Sequence, residues 1–232
     1  MLNFQDVHIG REETLFKISN LQLEKGKLYG LIGKNGIGKS TFLNTIMGTI
    51  PPLSGVLEIE NNLPREKQIA LVSSKFEGVE FLKTKEYIAL GRAPYTNFIG
   101  KLTNIDVEIV ENIIRLLAIE HISDCETTNL SDGERQIASI GRALAQQTET
   151  ILLDEPLAFL DYENKIKILE LLSDICKQEN KCIIHSSHDI ELCLKHTDEI
   201  LIIDNANKEL ILANKNVTLE KIVSLAFHKV NL

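Results

Sequence analysis

Eight residues constrain this chain more than any others. Gly33-Lys34-Asn35-Gly36-Ile37-Gly38-Lys39-Ser40 fits the pattern G-x-x-x-x-G-K-[ST] letter for letter. The apolar run at residues 28–32 predicts a buried strand before it, and residues 41–47 carry apolar side chains at helical spacing up to Gly48. Strand, glycine-rich turn and helix thus arrive in the order a phosphate-binding loop requires. Gly33, Gly36 and Gly38 let the backbone turn where a Cβ would clash. Consecutive N–H groups, from Lys34, Asn35 and Ile37 through to Thr41, can then point at a diphosphate resting on the positive end of the new helix. Lys39 would reach the terminal phosphates as a point charge, and the Ser40 hydroxyl would ligate magnesium.

A chain of 232 residues has room for one large domain with a real hydrophobic interior, or for a core with an inserted subdomain. No window approaches the roughly 18 apolar residues of a membrane span. The start, Met1-Leu2-Asn3-Phe4-Gln5-Asp6, lacks the basic and apolar blocks of a signal peptide, so a cytoplasmic location is expected. The formal net charge of -8 and the absence of a dense basic cluster argue against a nucleic-acid partner. Cys125, Cys176, Cys182 and Cys193 form no C-x-x-C pair and read as reduced thiols rather than zinc ligands or disulfides.

Residues 1–27 read as short strands at 2–4, 7–9, 15–18 and 21–23, a small antiparallel sheet leading into the nucleotide core. Pro51-Pro52 stops regular structure, and residues 55–59 and 69–72 look like further strands. Between 73 and 147 the β-branched runs disappear. Helical periodicity appears at 84–91 and at 105–118, where Ile105, Ile109, Ile113, Leu116 and Leu117 form one stripe. The breaker-rich connector 91–100 between them exposes aromatics and suits a docking surface. From 148 to 204 the chain alternates apolar strands with helices, implying a parallel sheet covered on both faces with its active groups at the strands' carboxyl ends. The expected fold class is therefore α/β: a nucleotide-binding core (1–72 and 148–204) with an antiparallel β part, an inserted helical subdomain (73–147), and a C-terminal extension (205–232) without recognisable chemistry.

Four pieces behind the loop sharpen the expectation. Ile151-Leu152-Leu153-Asp154-Glu155-Pro156 is an apolar strand ending in two carboxylates, where Asp154 could hold magnesium through water and Glu155 could orient or activate an attacking water. About twenty residues upstream, Leu130-Ser131-Asp132-Gly133-Glu134-Arg135-Gln136 resembles the signature motif of ATP-binding-cassette (ABC) ATPases. Leu160-Asp161 resembles their D-loop, and Ser187-His188-Asp189 their switch histidine. The resemblance spans nearly the whole chain and implies a P-loop NTPase fold of the ABC ATPase type, acting as the ATP-binding and ATP-hydrolysing subunit of an ABC transporter.

In that family Glu155 and His188 are catalytic. Ser131 and Gly133 bind the γ-phosphate of ATP held by a second copy, Asp161 belongs to the same seam, and Ser40 and Asp154 serve magnesium. The implied partners are a second copy of the chain, integral-membrane permease subunits and, indirectly, a substrate-binding protein. The implied place is the inner face of the cytoplasmic membrane.

Tyr87-Ile88-Ala89-Leu90-Gly91-Arg92-Ala93-Pro94-Tyr95 is similar to importer ATPases for iron-siderophore, haem and cobalamin uptake. An exporter subunit and a soluble non-transport ABC ATPase remain open alternatives.

Several positions carry a second meaning or depart from the family. Ser131 and Glu134 also form S-x-x-E, a capping box. His185 reads as a satisfied core histidine, and His8, His121, His196 and His228 carry no role. Asp132 replaces a usual glycine and is unhelpful beside an incoming phosphate unless it pairs with a cation such as Arg135. Ser74 stands where the family has the Q-loop glutamine, and a serine can still reach magnesium through a water. No aromatic for adenine stands near Ile9-Gly10-Arg11, where the Arg11 guanidinium is a substitute.

Overall fold

The computed structural model describes residues 1–227 apart from Asn62, Lys75 and Lys215; residues 228–232, His228 among them, lie outside the described set. The alternating N-terminal segment pairs into two long antiparallel strands, β1 (Leu2–Gly10) and β2 (Thr14–Leu23), rather than four short ones. Asp6 breaks the pattern in sequence because it adopts φ 48°, where the register of β1 against β4 (Ser54–Ile59) shifts between Gln5 and His8.

The other elements follow in α/β order. β3 (Leu28–Ile32) leads to α1 (Lys39–Met47), and β4 is followed by α2 (Arg65–Gln68) and β5 (Ile69–Val72). A helical stretch contains α3 (Thr84–Ala89), a 3-10 turn at Leu90–Tyr95, α4 (Asn104–Leu116) and α5 (Asp132–Ala145). Then come β6 (Thr150–Leu153), α6 (Tyr162–Gln178), β7 (Cys182–Ser187), α7 (Ile190–His196), β8 (Glu199–Asp204), β9 (Glu209–Asn214) and α8 (Leu219–Phe227).

The strands form one nine-stranded sheet in the order β4-β1-β2-β9-β8-β3-β7-β6-β5. Its β8-β3-β7-β6-β5 half is parallel, and the antiparallel β4-β1-β2 part joins it through β9, which meets β2 at Glu209 and Lys17. Strand β7 shows why the central strands are buried at every position. Cys182 and Ile184 pack with Phe42, Leu43 and Ile46 of α1, whereas Ile183 packs with Leu169, Leu172 and Cys176 of α6 on the opposite face. In α8, Ile222 and Ala226 pack on Ile200 and Ile202 of β8.

The helical stretch departs from its sequence pattern in one instructive way. Helix α4 buries Asp106, Val110, Ile113 and Ile114, while Ile105 and Leu116 are 69% and 50% exposed. The inward face is displaced because Asp106 is drawn in by Arg92, whose Nε donates to Oδ1 at 2.8 Å, and by the Thr103 hydroxyl and backbone N–H. Arg92 also donates to the carbonyl of Ala145 and to Gln147 Oε1, and it lies over the Tyr95 ring at 4.2 Å. Gly91 permits this approach: a Cβ there would sit 2.1 Å from the Arg142 carbonyl oxygen. The connector is therefore pinned to the end of α5 as far as Tyr95, and only beyond it do Phe98 (100% exposed) and Ile99 (75%) project freely.

Candidate functional site

The loop after β3 is shaped by two residues in left-handed backbone, Gly36 at φ 75° and Gly38 at φ 117°. It delivers the start of α1 with no side-chain cap and no acidic residue in the first turn. The first N–H groups of that helix keep both their hydrogen-bonding capacity and their share of positive charge. Lys39 is buried beside them, and its Nζ donates to the carbonyls of Gly33 at 2.9 Å and Lys34 at 3.4 Å. Burial lowers the Lys39 pKa, opposed by the carboxylates of Glu155 and Asp154. A buried ammonium, uncapped helix N–H groups and a glycine-lined turn form a donor set that fits a polyphosphate.

The opposite wall is built at the ends of β6 and β7. The buried Asp154 donates its N–H to the Val72 carbonyl at 2.9 Å, and its Oδ1 accepts the Ser186 hydroxyl at 2.8 Å. The same Ser186 oxygen accepts the Glu155 N–H at 2.8 Å. Glu155 is held at φ 50°, a left-handed conformation that costs a non-glycine residue on the order of 1–2 kcal/mol. This kink turns its side chain toward His188, and Oε1 lies 2.6 Å from Nε2. Glu155 and His188 share an open cleft of about 310 Å³ with Asn35, Gly36, Gly38, Lys39, Ser40 and Thr41, and Leu15 of β2 closes one side. A carboxylate beside an imidazole, facing a phosphate cradle, can accept a proton from water and hold the imidazole in one orientation.

The other singled-out residues lie elsewhere. Ile37 turns its side chain onto Gly33 and leaves only its backbone to the loop, while the Lys34 side chain is exposed. Ser131, Gly133, Asp161 and Ser74 do not line the cleft. Ser131 caps α5 in a full capping box: Glu134 N–H donates to its Oγ at 3.3 Å, and its own N–H and Oγ–H donate to Glu134 Oε2 at 2.8 and 2.7 Å. Asp132 pairs with Arg135, which also donates to the Leu130 carbonyl. Gly133 sits against Phe159 and Leu160, where a Cβ would touch at 3.4 and 3.3 Å, so the signature and D-loop segments pack on one another. Asp161 caps α6 by accepting from the Asn164 N–H and side-chain amide. Ser74 is half-buried in a bend after β5, and Phe76 beyond it stacks on Tyr87 with ring centroids 4.0 Å apart.

This geometry corrects one reading of the sequence and adds two residues to it. His185 is fully buried, but neither ring nitrogen has a hydrogen-bond partner among the described residues, so the core histidine is not satisfied. Burial pushes its pKa down to about 4, with the Ser186 backbone opposing the shift weakly. Arg11 is exposed and does not line the cleft, and the side chain that borders the loop is Leu15, which no sequence pattern singles out. Ser186 is also missed. The available signal was a hydroxyl at the end of an apolar strand next to the strand bearing Asp154.

A family model described as ABC transporter matches residues 16–158, from β2 through the phosphate loop, the signature segment and the Asp154–Glu155 pair. The chain belongs to the ABC transporter family. It is an ATP-binding subunit with the α/β P-loop NTPase fold of that family. The achromobactin transport ATP-binding protein of Dickeya dadantii is 32% identical over 83% of this chain and 74% of its own length. The petrobactin import ATP-binding protein of Bacillus anthracis is 31% identical over 80% and 71%. Among solved structures, a transporter assigned to the metal-chelate ABC type, in an inward-facing conformation, superposes with a TM-score of 0.84 at 26% identity, covering 97% of this chain and 88% of that one. Among the described residues, no helix is long and apolar enough to cross a membrane.

Proposed function

We propose that this subunit hydrolyses magnesium-ATP to power import of an iron chelate, siderophore or haem, or of cobalamin. The observation that carries the chemistry is the Glu155–His188 pair at 2.6 Å, set across one cleft from the buried Lys39. Lys39 and the uncapped N–H groups of α1 bind the phosphates. Glu155 accepts the proton of the attacking water, and His188 orients that carboxylate and faces the γ-phosphate. Ser40 would hold magnesium, with Asp154 and Ser74 reaching it through water, and the ion would offset charge on the phosphate oxygens. Ser186 keeps Asp154 and the backbone of Glu155 in fixed relation throughout.

Ser131, Gly133 and Asp161 lie outside their own cleft, which supports a head-to-tail pair of copies in which each offers these residues to the other's ATP. Closure of that pair is the stroke, delivered through the helical unit 73–147 to permease subunits at the inner face of the membrane. The exposed Leu90, Phe98 and Ile99 supply apolar surface for that contact. A substrate-binding protein would act on the far side. The 87–95 segment and the relatives named for achromobactin transport and petrobactin import support the choice of cargo.

The test is ATP-driven transport by vesicles holding the chain with its permease and binding protein, offered labelled ferric siderophore, haem and cobalamin. Inward-directed accumulation of one of the three is expected. Expulsion, or movement of none of them alongside active ATP turnover, overturns the cargo assignment.

A further inference from the structure

We propose that Glu134 is a positioning residue that holds the signature serine bonded to its own helix, so that ATP bound by the other copy captures Ser131 only by breaking the Ser131–Glu134 hydrogen bond. The inference rests on the two-copy reading above. A serine hydroxyl has one proton, and the Ser131 hydroxyl gives it to Glu134 Oε2 at 2.7 Å. In that arrangement Ser131 turns only lone pairs outward, which repel a phosphate oxygen. The Ser131 backbone N–H is tied to the same carboxylate oxygen at 2.8 Å, so one oxygen holds both the backbone and the hydroxyl of Ser131.

The carboxylate is ionised. Its pKa is lowered first by the Ser131 hydroxyl, then by the Ser131 N–H, with a smaller contribution from His121. The neighbouring Asp132 does not compete for the hydroxyl because Arg135 pairs with it. Glu134 therefore sets how much ATP is needed to close the pair.

Two replacements separate this role from simple capping. Glutamine also completes an S-x-x-[EQ] capping box, so Glu134→Gln keeps the start of α5 but offers the hydroxyl only a neutral acceptor, and charge-assisted hydrogen bonds are about twice as strong. Aspartate preserves the lock, since α4 of this chain builds the same triad with Thr103 and Asp106, the hydroxyl donating at 2.7 Å.

The experiment measures ATP-dependent dimerisation of the purified chain by sedimentation, in a Glu155→Gln background that prevents turnover. Glu134→Gln should lower the ATP concentration at half-maximal dimer by about tenfold, and Glu134→Asp should stay within about twofold of its parent. Ser131→Ala should raise that concentration, and adding Glu134→Gln to Ser131→Ala should change it by less than about twofold. An unchanged or raised requirement in Glu134→Gln refutes the lock. So does an equal shift with and without the Ser131 hydroxyl, which would reduce Glu134 to a bare charge. If the parent does not dimerise with ATP, or if Ser131→Ala has no effect, the two-copy reading itself fails, and this inference falls with it.

Discussion

Replacing Ser186 with alanine removes one oxygen that serves two groups. Ser186 is 1% exposed; it donates to Asp154 Oδ1 and accepts from the Glu155 N–H, both at 2.8 Å. A hydrogen bond to a charged group contributes about 1.5–3 kcal/mol, and an N–H left without a partner costs about 1–3 kcal/mol when fully buried and less at the half-buried Glu155. Some of this is recovered by relaxation of the strained Glu155 backbone, at φ 50°, so a net loss of about 3 kcal/mol is expected. For a chain of this size that corresponds to a fall in melting temperature of about 6–12 °C.

The same relaxation moves the Glu155 carboxylate off His188. Hydrolytic kcat should fall about tenfold or more, while KM for ATP changes little because the Lys39 side of the cleft is untouched. Thermal unfolding and steady-state phosphate release measure the two effects, and Ser186→Thr, which keeps the hydroxyl, should restore most of both. An alanine variant with native melting and native kcat would refute the view that Ser186 holds the two carboxylates in place.

Other perturbations test separate parts of the account. His185 stays uncharged in the fold with a pKa of about 4, whereas the unfolded chain takes up its proton below about 6.5; stability therefore falls as pH drops through that window, by up to about 3 kcal/mol. His185→Leu should melt higher than the parent by a margin that widens from pH 7.5 to pH 5, and a constant margin would contradict the titration. Arg92→Met leaves the buried Asp106 with only its Thr103 contacts and should cost about 3–5 kcal/mol in urea unfolding, much of it recovered in the double variant with Asp106→Leu. Phe98→Asp, at a fully exposed position, should leave the melting temperature and the chain's own ATP turnover unchanged but weaken co-purification with permease subunits. Loss of turnover in the isolated Phe98 variant would remove that residue from the docking surface.

What the sequence displayed well were features carried by local pattern. The glycine loop between strand and helix, the apolar strands ending in Asp154 and His188, and the S-x-x-E box at Ser131 are each set by residues a few positions apart. What it hid depends on partners far along the chain. The inward face of α4 is decided by Arg92, which turns a charged Asp106 into a buried residue and leaves Ile105 in solvent. Ser186 acquires its place only because β6 and β7 lie side by side. Leu15 borders the cleft because β2 passes beneath Gly38, a contact between residues with no shared motif. The unpartnered ring of His185 was invisible for the same reason, since hydrogen-bond satisfaction belongs to the packed structure and not to the residue type.

The central claim is that Glu155 drives hydrolysis in a cleft where Lys39 and the loop hold the triphosphate. The most direct measurement sets phosphate release against ATP binding in purified Glu155→Gln. The account predicts ATP binding within about twofold of the parent and turnover reduced by a factor on the order of 100 or more. A Glu155→Gln chain that releases phosphate at the parent rate would contradict it.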